Sequence, residues 1–181
     1  MKRSVSLFLL AAALSFAQTA KATVAKAYDS DLKSAEKEIV SLAEAMPADK
    51  YNFAPTMGEF NGVRAFALQM RHIASVNYEV AAAILGEKCP VAMGKNENGA
   101  DSLDAKDAIV KYLKDSFAYA HKAIDTITDK NFLGEVKSPF GEGQSTRASL
   151  ATIFAWHSFD HYGQAVVYAR MNGVIPPASR H

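Results

Sequence analysis

Two histidines spaced four residues apart are the side chains of this chain best suited to chemistry. His157 and His161 lie in the segment 146–177, in which apolar residues recur at helical spacing. Residues four apart share one face of an α-helix, with Cβ atoms roughly 5–6 Å apart. Because this face is mostly apolar, both rings are expected to point into the protein. The face consists of Leu150, Ile153, Phe154, His157, His161, Gln164, Tyr168 and Met171.

A buried imidazole ring needs a hydrogen bond, a lowered pKa or a metal ion. Two rings on adjacent helical turns can each direct one nitrogen at the same cation, at roughly 2.0–2.1 Å for zinc. Two ligands make a weak site, so another segment must provide a third. His72 meets this requirement, because it lies with Val76 on the apolar face of another helical segment. We therefore predict a three-histidine metal site that leaves at least one coordination position open.

The residues around these histidines refine the prediction. Nitrogen ligands favour zinc or nickel, and also suit iron or copper, in preference to calcium or magnesium. Glu79 lies two turns beyond His72, and Gln164 lies one turn beyond His161. Both are therefore predicted to hydrogen-bond the ligating rings from outside. The adjacent Asp160 is equally well interpreted as a solvated charge. The alternative to a metal site is a set of structural histidines, each bonded to a carbonyl or carboxylate oxygen.

The elements that must position these rings are four predicted helices. Apolar spacing predicts helices over 31–46, 58–85 and 103–127, and a fourth that Thr146 caps and Gly173 ends. No segment has the alternating pattern of a β-strand, and no repeat or linker divides the chain. The sequence therefore predicts an all-α protein, an antiparallel four-helix bundle. Facing side chains of two helices are common ligands in such bundles.

Residues 1–22 have the pattern of a secretory signal peptide. Lys2 and Arg3 precede a short apolar run, and Ala20 to Ala22 provide a small-x-small cleavage pattern. The apolar run is shorter than the ~20 residues of a permanent span, so no stable membrane anchor is expected after cleavage. An uncleaved tethering helix is the alternative. We expect an exported protein, periplasmic or secreted, in which 23–181 form a single helical domain.

Composition excludes some partners and some sources of stability. Without Lys2, Arg3 and Lys21, the chain has 17 basic and 19 acidic residues and no concentrated basic patch. Nucleic acid is therefore not expected as a partner. Cys89 is the only cysteine, so the core or a metal must replace intrachain disulfides. We interpret Cys89 as a loop or packed residue, because its only cationic neighbour in sequence is Lys88.

Three segments resemble one known family. WHSFDHYGQAVVYARMNGVIPPAS (156–179) closely resembles the C-terminal helix of the DinB-like (YfiT-like) superfamily, above all in its paired histidines followed by YGQ and NG-x-x-PP. MPADKYNFAPT (46–56) resembles the link after the first helix of that family, and RHIASVNYEVAAAILGE (71–87) resembles its second helix. The resemblance covers essentially all of 23–181 in order. It implies an antiparallel four-helix bundle whose usual metal triad corresponds to His72, His157 and His161.

The resemblance also implies a range of functions. Members of the family include thiol-dependent transferases, a thiol-dependent isomerase and proteins assigned as metal-dependent hydrolases. We therefore expect a divalent-metal-binding protein that acts as a hydrolase or thiol-type transferase on a small-molecule substrate. Glu79, Tyr162 and Tyr168 are candidates to assist proton transfer. The alternatives are a non-catalytic exported protein that binds a metal or small ligand, and a purely structural bundle. Pairing as a homodimer is a further expectation for such bundles.

Overall fold

The computed structural model describes residues 22–180, and helices account for most of them. The predicted signal peptide lies outside the described residues, except for Ala22. No helix of the described part is long and apolar enough to cross a membrane. The elements of residues 22–180 are the helices α1 (Val24–Ala45), α2 (Phe66–Leu85), α3 (Lys106–Asp125) and α4 (Arg147–Met171), the strands β1 (Glu135–Lys137) and β2 (Gln144–Thr146), and 3₁₀ turns at Ala48–Lys50, Lys95–Glu97 and Pro177–Ser179.

The four helices pack together, as the sequence predicts, with α1 and α2 each contacting both α3 and α4. Ser75 lies beside Tyr112, and Asn77 lies beside Ser116, so α2 and α3 run in the same direction. Parallel neighbours cannot be joined by a tight turn, because the connection must return along the length of the helix. The 20-residue segment 86–105 makes this return. It therefore lies along the bundle, where it can contribute to a site.

The antiparallel arrangement predicted for the bundle holds for α1 and α3 but not for α2 and α3. On α3, His121 places Nδ1 2.6 Å from Asp29 and Nε2 3.1 Å from Glu36, both on α1. Lys114, earlier in α3, lies 2.5 Å from Glu44 near the end of α1. The two helices thus run in opposite directions. His121 is half-buried at this boundary.

The hydrophobic core lies between the helices, and α2 is the most enclosed of them. Because α2 is covered on several sides, its polar residues Gln69, Arg71, His72, Ser75 and Asn77 are also buried and need hydrogen-bond partners. Tyr51 closes one end of the core and donates its hydroxyl to the carbonyl of Ala43 at 2.5 Å. The largest fully buried apolar side chains include Phe66, Phe117, Phe154, Leu32, Ile39, Leu42 and Ile73.

Three predicted helix starts are wrong: α3 begins at Lys106 instead of Leu103, and in α1 and α2 a hydrogen bond begins the helix elsewhere. α1 begins seven residues before the predicted Asp31, because the Thr23 side chain accepts a hydrogen bond from the Lys26 amide and caps the helix. α2 begins at Phe66 instead of Gly58, because the loop carbonyls of Phe53 and Tyr51 accept from the first amides of α2. The predicted cap of α4 is confirmed, since Thr146 accepts from the Ser149 amide.

The hairpin formed by β1 and β2 does not follow from the sequence pattern. Val136 pairs with Ser145 at its centre. Each strand has only three residues, which is too short to show an alternating pattern. The amide of Arg147 donates to the carbonyl of Gly134 at 3.1 Å, so the hairpin is tied to the start of α4.

Two arginines, Arg71 in α2 and Arg64 just before α2, hold the return segment 86–105 against the bundle. The Arg71 guanidinium, only 7% exposed, donates to the carbonyl oxygens of Asn98 and Ala100, both at 2.7 Å. Arg64 donates to the Asn98 side chain at 2.8 Å. The planar fork of arginine suits several acceptors at once. The segment is therefore fixed in place although its backbone is irregular.

Gly94 is the position in this segment where a larger residue should be most damaging. Its φ is +65°, and a Cβ there would overlap the carbonyl oxygen of Gly99. We expect Gly94→Ala to lower the free energy of unfolding by roughly 2–4 kcal/mol, from backbone strain and overlap together. Gly86→Ala is the matched control, because Gly86 has φ +70° but open space around it. Urea denaturation should show a loss of only about 1 kcal/mol there; equal losses would contradict the prediction.

Candidate metal centre

The three predicted histidines meet at the contact between α2 and α4. His72 comes from α2, and His157 and His161 come from adjacent turns of α4; one potential ligand atom from each lies within 4.8 Å of the other two. The Nε2 atoms of His72 and His157 are 3.2 Å apart. His72 and His161 are each 7% exposed, and His157 is half-buried. Three nitrogen donors from two helices thus form a group that could bind one metal ion.

The protein determines the tautomer of His72 through the return segment. His72 Nδ1 lies 3.1 Å from the carbonyl oxygen of Glu97. A carbonyl oxygen can only accept, so Nδ1 carries the proton and Nε2 keeps its lone pair. Asn96 and Glu97 have φ values of 55° and 52°, in the left-handed region that residues other than glycine rarely adopt. This strained turn directs the Glu97 carbonyl at the ring, while Arg71 holds the residues that follow.

A chain of hydrogen bonds determines the tautomer of His161. The exposed carboxylate of Asp160 accepts from the Gln164 amide nitrogen at 3.3 Å, so Gln164 turns its oxygen toward Gln69. Gln69 donates to that oxygen at 3.0 Å and presents its own oxygen 2.5 Å from His161 Nδ1. Because the Asp160 carboxylate can only accept, it determines the orientation of the Gln164 amide, which in turn determines that of the Gln69 amide. His161 Nδ1 therefore carries the proton, which leaves Nε2 free as a donor atom.

His157 differs from the other two rings. Its Nε2 faces the Nε2 lone pair of His72, and its Nδ1 is buried without a hydrogen-bond partner among the described residues. If Nε2 carries the proton, Nδ1 is an unpaired buried acceptor. If Nδ1 carries the proton, two lone pairs face each other at 3.2 Å, an arrangement that a cation between them would stabilise. In neither tautomer do protein atoms satisfy both nitrogens, as they would for a structural histidine.

The electrostatic environment keeps the rings neutral. Burial, together with repulsion from His161 and His72, lowers the pKa of His157 to about 3. Burial likewise lowers the pKa of His161 to about 4, with a further contribution from His72. The pKa of His72 is also lowered, first by burial and then by the charge of Arg64. Neutral imidazole is the form that binds metal ions, so the environment favours ligation.

A cavity of about 260 Å³ lies beside two of the rings, His72 and His157. Val76, Phe140, Ile153 and Trp156 provide mostly apolar walls, and Glu97 completes the lining. Trp156 is 58% exposed, at the solvent side of α4. A small organic group can therefore lie against the histidines with apolar surface around it.

The two residues predicted to support the histidines lie elsewhere. Gln164 does not bond a histidine directly and reaches His161 only through Gln69. Glu79 does not bond His72, whose Nδ1 is already taken by the Glu97 carbonyl. Seven residues along a helix correspond to roughly 10 Å of rise, too far for contact between the two side chains. Glu79 instead lines a different cavity.

The two tyrosines considered for proton transfer also face away from the histidines. Tyr162 donates its hydroxyl to Glu38 of α1 at 3.0 Å. Burial raises the pKa of Tyr162 to about 12, and the Glu38 carboxylate adds to this shift, so the hydroxyl stays protonated. Tyr168 is buried and packs edge-on against Phe53, with 5.8 Å between ring centroids. Neither residue lines the cavity beside His72 and His157.

Neither direct partner of the rings was predicted from the sequence. Gln69 lies three residues before His72, on the same mostly apolar face of the helix. A polar amide at such a position is the sequence signal that could have identified it as a partner of the histidines. Glu97 contributes only its backbone carbonyl, a group that every residue type has, so the sequence gives no signal for this contact. Its role depends on a fold of the return segment that sequence spacing does not encode.

Comparison with solved structures supports this fold. A DinB-like protein from Bacillus subtilis is 18% identical, with a TM-score of 0.63, covering 86% of this chain and 99% of the other. A DinB-like protein from Bacillus cereus is 13% identical with a TM-score of 0.66, covering 86% and 96%. A conserved protein from Enterococcus faecalis is 14% identical with a TM-score of 0.65, covering 83% and 98%. At these identities the similarity establishes the fold alone.

Sequence comparison establishes the family. No curated protein is similar enough to this chain to count as a match. The model of the DinB superfamily matches residues 31–165, which is more than half of the 181 residues and includes all three histidines. Together with the packed four-helix fold and its buried histidine group, this match shows that the chain belongs to the DinB superfamily.

Proposed function

We propose that His72, His157 and His161 bind one divalent transition metal ion through their Nε2 atoms, zinc or nickel in preference to iron or copper. We further propose that the protein is a metal-dependent enzyme that acts on a small molecule, as a hydrolase or a thiol-type transferase. The observation that carries the proposal is the convergence of three imidazoles from two helices within 4.8 Å of one another. The Nε2 atoms of His72 and His157 lie 3.2 Å apart, an arrangement that a shared cation would stabilise.

Each surrounding group has a definable part in this function. The Glu97 carbonyl and Gln69 hold the Nδ1 protons of His72 and His161, which keeps both Nε2 atoms directed at the shared centre. When bound, a divalent ion with an open coordination position supplies Lewis acidity toward a carbonyl oxygen or a thiol. Phe140 and Trp156 offer apolar surface to a substrate.

We also propose that the chain is exported, on the basis of residues 1–22. Hydrolysis needs only water as the second reactant, whereas a transferase needs a thiol that is abundant where the protein acts. The hydrolase reaction therefore fits an exported protein better. A small molecule remains the proposed substrate, because the cavity of about 260 Å³ suits a ligand group of limited size.

Metal content tests the proposal directly. We expect native protein, purified without an affinity tag and offered zinc or nickel at neutral pH, to hold about one ion per chain in elemental analysis. His157→Ala should lose most of this metal while circular dichroism shows an intact bundle, because the ring contributes a ligand and little packing. His121→Ala is the matched control, since His121 pairs with Asp29 and Glu36 on α1. A metal-free native chain would contradict the proposal.

Turnover separates the enzyme from a non-catalytic binding protein. Esters, amides and electrophile–thiol pairs should be screened with the metal-loaded protein and with the His157→Ala variant. Activity with an ester or amide that disappears in the variant would support the hydrolase. A fully metal-loaded protein without turnover on any class would overturn the enzyme assignment and leave a metal-binding protein.

Gln69 provides a test of how the histidines are oriented. Gln69→Leu removes the acceptor for His161 Nδ1, so either tautomer of His161 becomes accessible. We expect the zinc affinity measured by calorimetry to fall by roughly 10–100-fold, the usual effect of losing such a partner. Gln144→Leu, at an exposed position of β2, should leave the affinity unchanged. Equal zinc affinities of the Gln69 variant and wild type would show that this hydrogen bond does not support ligation.

The lowered histidine pKa values predict a weak pH dependence of metal affinity. Three rings at the ordinary pKa of 6.5 would lose about 50-fold in zinc affinity between pH 7.5 and 6.0 through protonation. Here burial lowers the pKa of His157 to about 3 and of His161 to about 4, and that of His72 also falls. The rings stay neutral on acidification through this window, so calorimetry should show a loss within about threefold. A loss near 50-fold would contradict the neutral, buried site.

A further inference from the structure

A second and larger cavity, of about 580 Å³, lies between the C-terminal half of α2 and the hairpin. Ala82, Ala83 and Gly86 form its floor on the helix, and their small side chains leave the space open. Val136 and Pro139 provide apolar surface on the opposite side. Its volume is within the usual range of small-molecule sites. The proposed metal function does not use this cavity.

Glu79 lines this cavity, and one of its carboxylate oxygens has no partner in the described part of the chain. Glu79 Oε2 is inaccessible to solvent and has no hydrogen-bond partner among the described residues. A buried carboxylate oxygen without a donor is costly, so such atoms are normally paired. Burial raises the pKa of Glu79, and the charge of Glu97 raises it further. A cationic hydrogen-bond donor beside this carboxyl group would pair with its oxygen and lower its pKa by stabilising the ionised form.

The other charged groups at the cavity either have hydrogen-bond partners in the protein or are exposed to water. Glu87 accepts from the Tyr119 hydroxyl at 2.9 Å and lies 3.4 Å from the Lys122 ammonium. Lys137 belongs to β1 and is exposed, so water screens its charge. Glu79 is therefore the half-buried charged group at this cavity with no donor among the described residues, and an ionic contact is stronger there than in open water.

The cavity is a neighbour of the histidine site. Val76 lines the histidine cavity, and Glu79, one turn later on α2, lines the second. On the opposite side, Phe140 lines the first and the adjacent Pro139 lines the second. A ligand in the second cavity would thus lie next to anything bound at the histidines.

We propose that this second cavity binds a cationic nitrogen, a primary amine or guanidinium, carried on an apolar chain, with the Glu79 carboxylate accepting its hydrogen bonds. The apolar chain lies against Ala83, Val136 and Pro139. This binding does not require the metal. Its role in selecting substrates for the histidine site rests on the proposed function above.

Cys89 allows the proposal to be tested without an assay of activity. It lines the same cavity and is the only cysteine of the chain, so its alkylation by iodoacetamide reports on occupancy. We expect n-hexylamine to slow alkylation of the wild-type protein at least about fivefold at saturation and to give a calorimetric binding isotherm. Glu79→Gln keeps the shape and removes the charge, and should weaken hexylamine binding about 10–100-fold. Glu135→Gln, an exposed change in β1, is the matched control and should bind as wild type.

Three results would overturn the proposal: equal hexylamine affinity in Glu79→Gln and wild type, stronger binding of hexanoate than of hexylamine, or no binding of hexylamine by calorimetry. Hexanoate tests the opposite arrangement, in which Lys137 anchors a carboxylate. Circular dichroism checks that Glu79→Gln is folded. The His157→Ala variant should bind hexylamine normally, so failure of the metal proposal and failure of this one are distinguishable.

Discussion

The requirement to keep three imidazole rings neutral and correctly oriented inside a dry helix contact determines much of this structure. Each ring has two nitrogens, and in a medium of low dielectric an unpaired nitrogen or an added proton is costly. His72 and His161 meet this requirement through Nδ1 hydrogen bonds to Glu97 and Gln69. His157 directs its Nε2 at the Nε2 of His72, 3.2 Å away, and its Nδ1 has no partner among the described residues. A cation between the two Nε2 atoms would remove the repulsion of their lone pairs, which is the physical basis for expecting a metal ion.

The path of the chain follows from this requirement. The parallel packing of α2 and α3 demands a long connection, and that connection brings the Glu97 carbonyl to His72. The left-handed backbone at Asn96 and Glu97 is unfavourable in isolation. Arg71 offsets this cost by holding the carbonyls of the same segment from within the core. An element that resembles a passive loop in sequence thus forms part of the site.

Helix α2 connects the two cavities. Gln69, His72, Val76, Glu79 and Ala83 follow one another at spacings of three or four residues, so they form one line along a single face. The line begins with a hydrogen-bond acceptor for His161, passes the histidine group and ends in a space opened by small residues. Closeness of a polar site to an apolar cavity with one unpaired carboxyl group is typical of recognition surfaces for small molecules.

The sequence by itself determined the helical class, the cap of α4 at Thr146 and the identity of the three converging histidines, because these depend on local spacing along one helix at a time. It did not determine which groups support the rings. Glu79 and Gln164 share the expected faces, but contact depends on the rise along a helix and on the neighbouring segment that reaches the ring first. Gln69 and the Glu97 carbonyl have that role through packing between α2, α4 and the return segment. Only the tertiary structure decides such contacts, since they join residues that are distant in the chain.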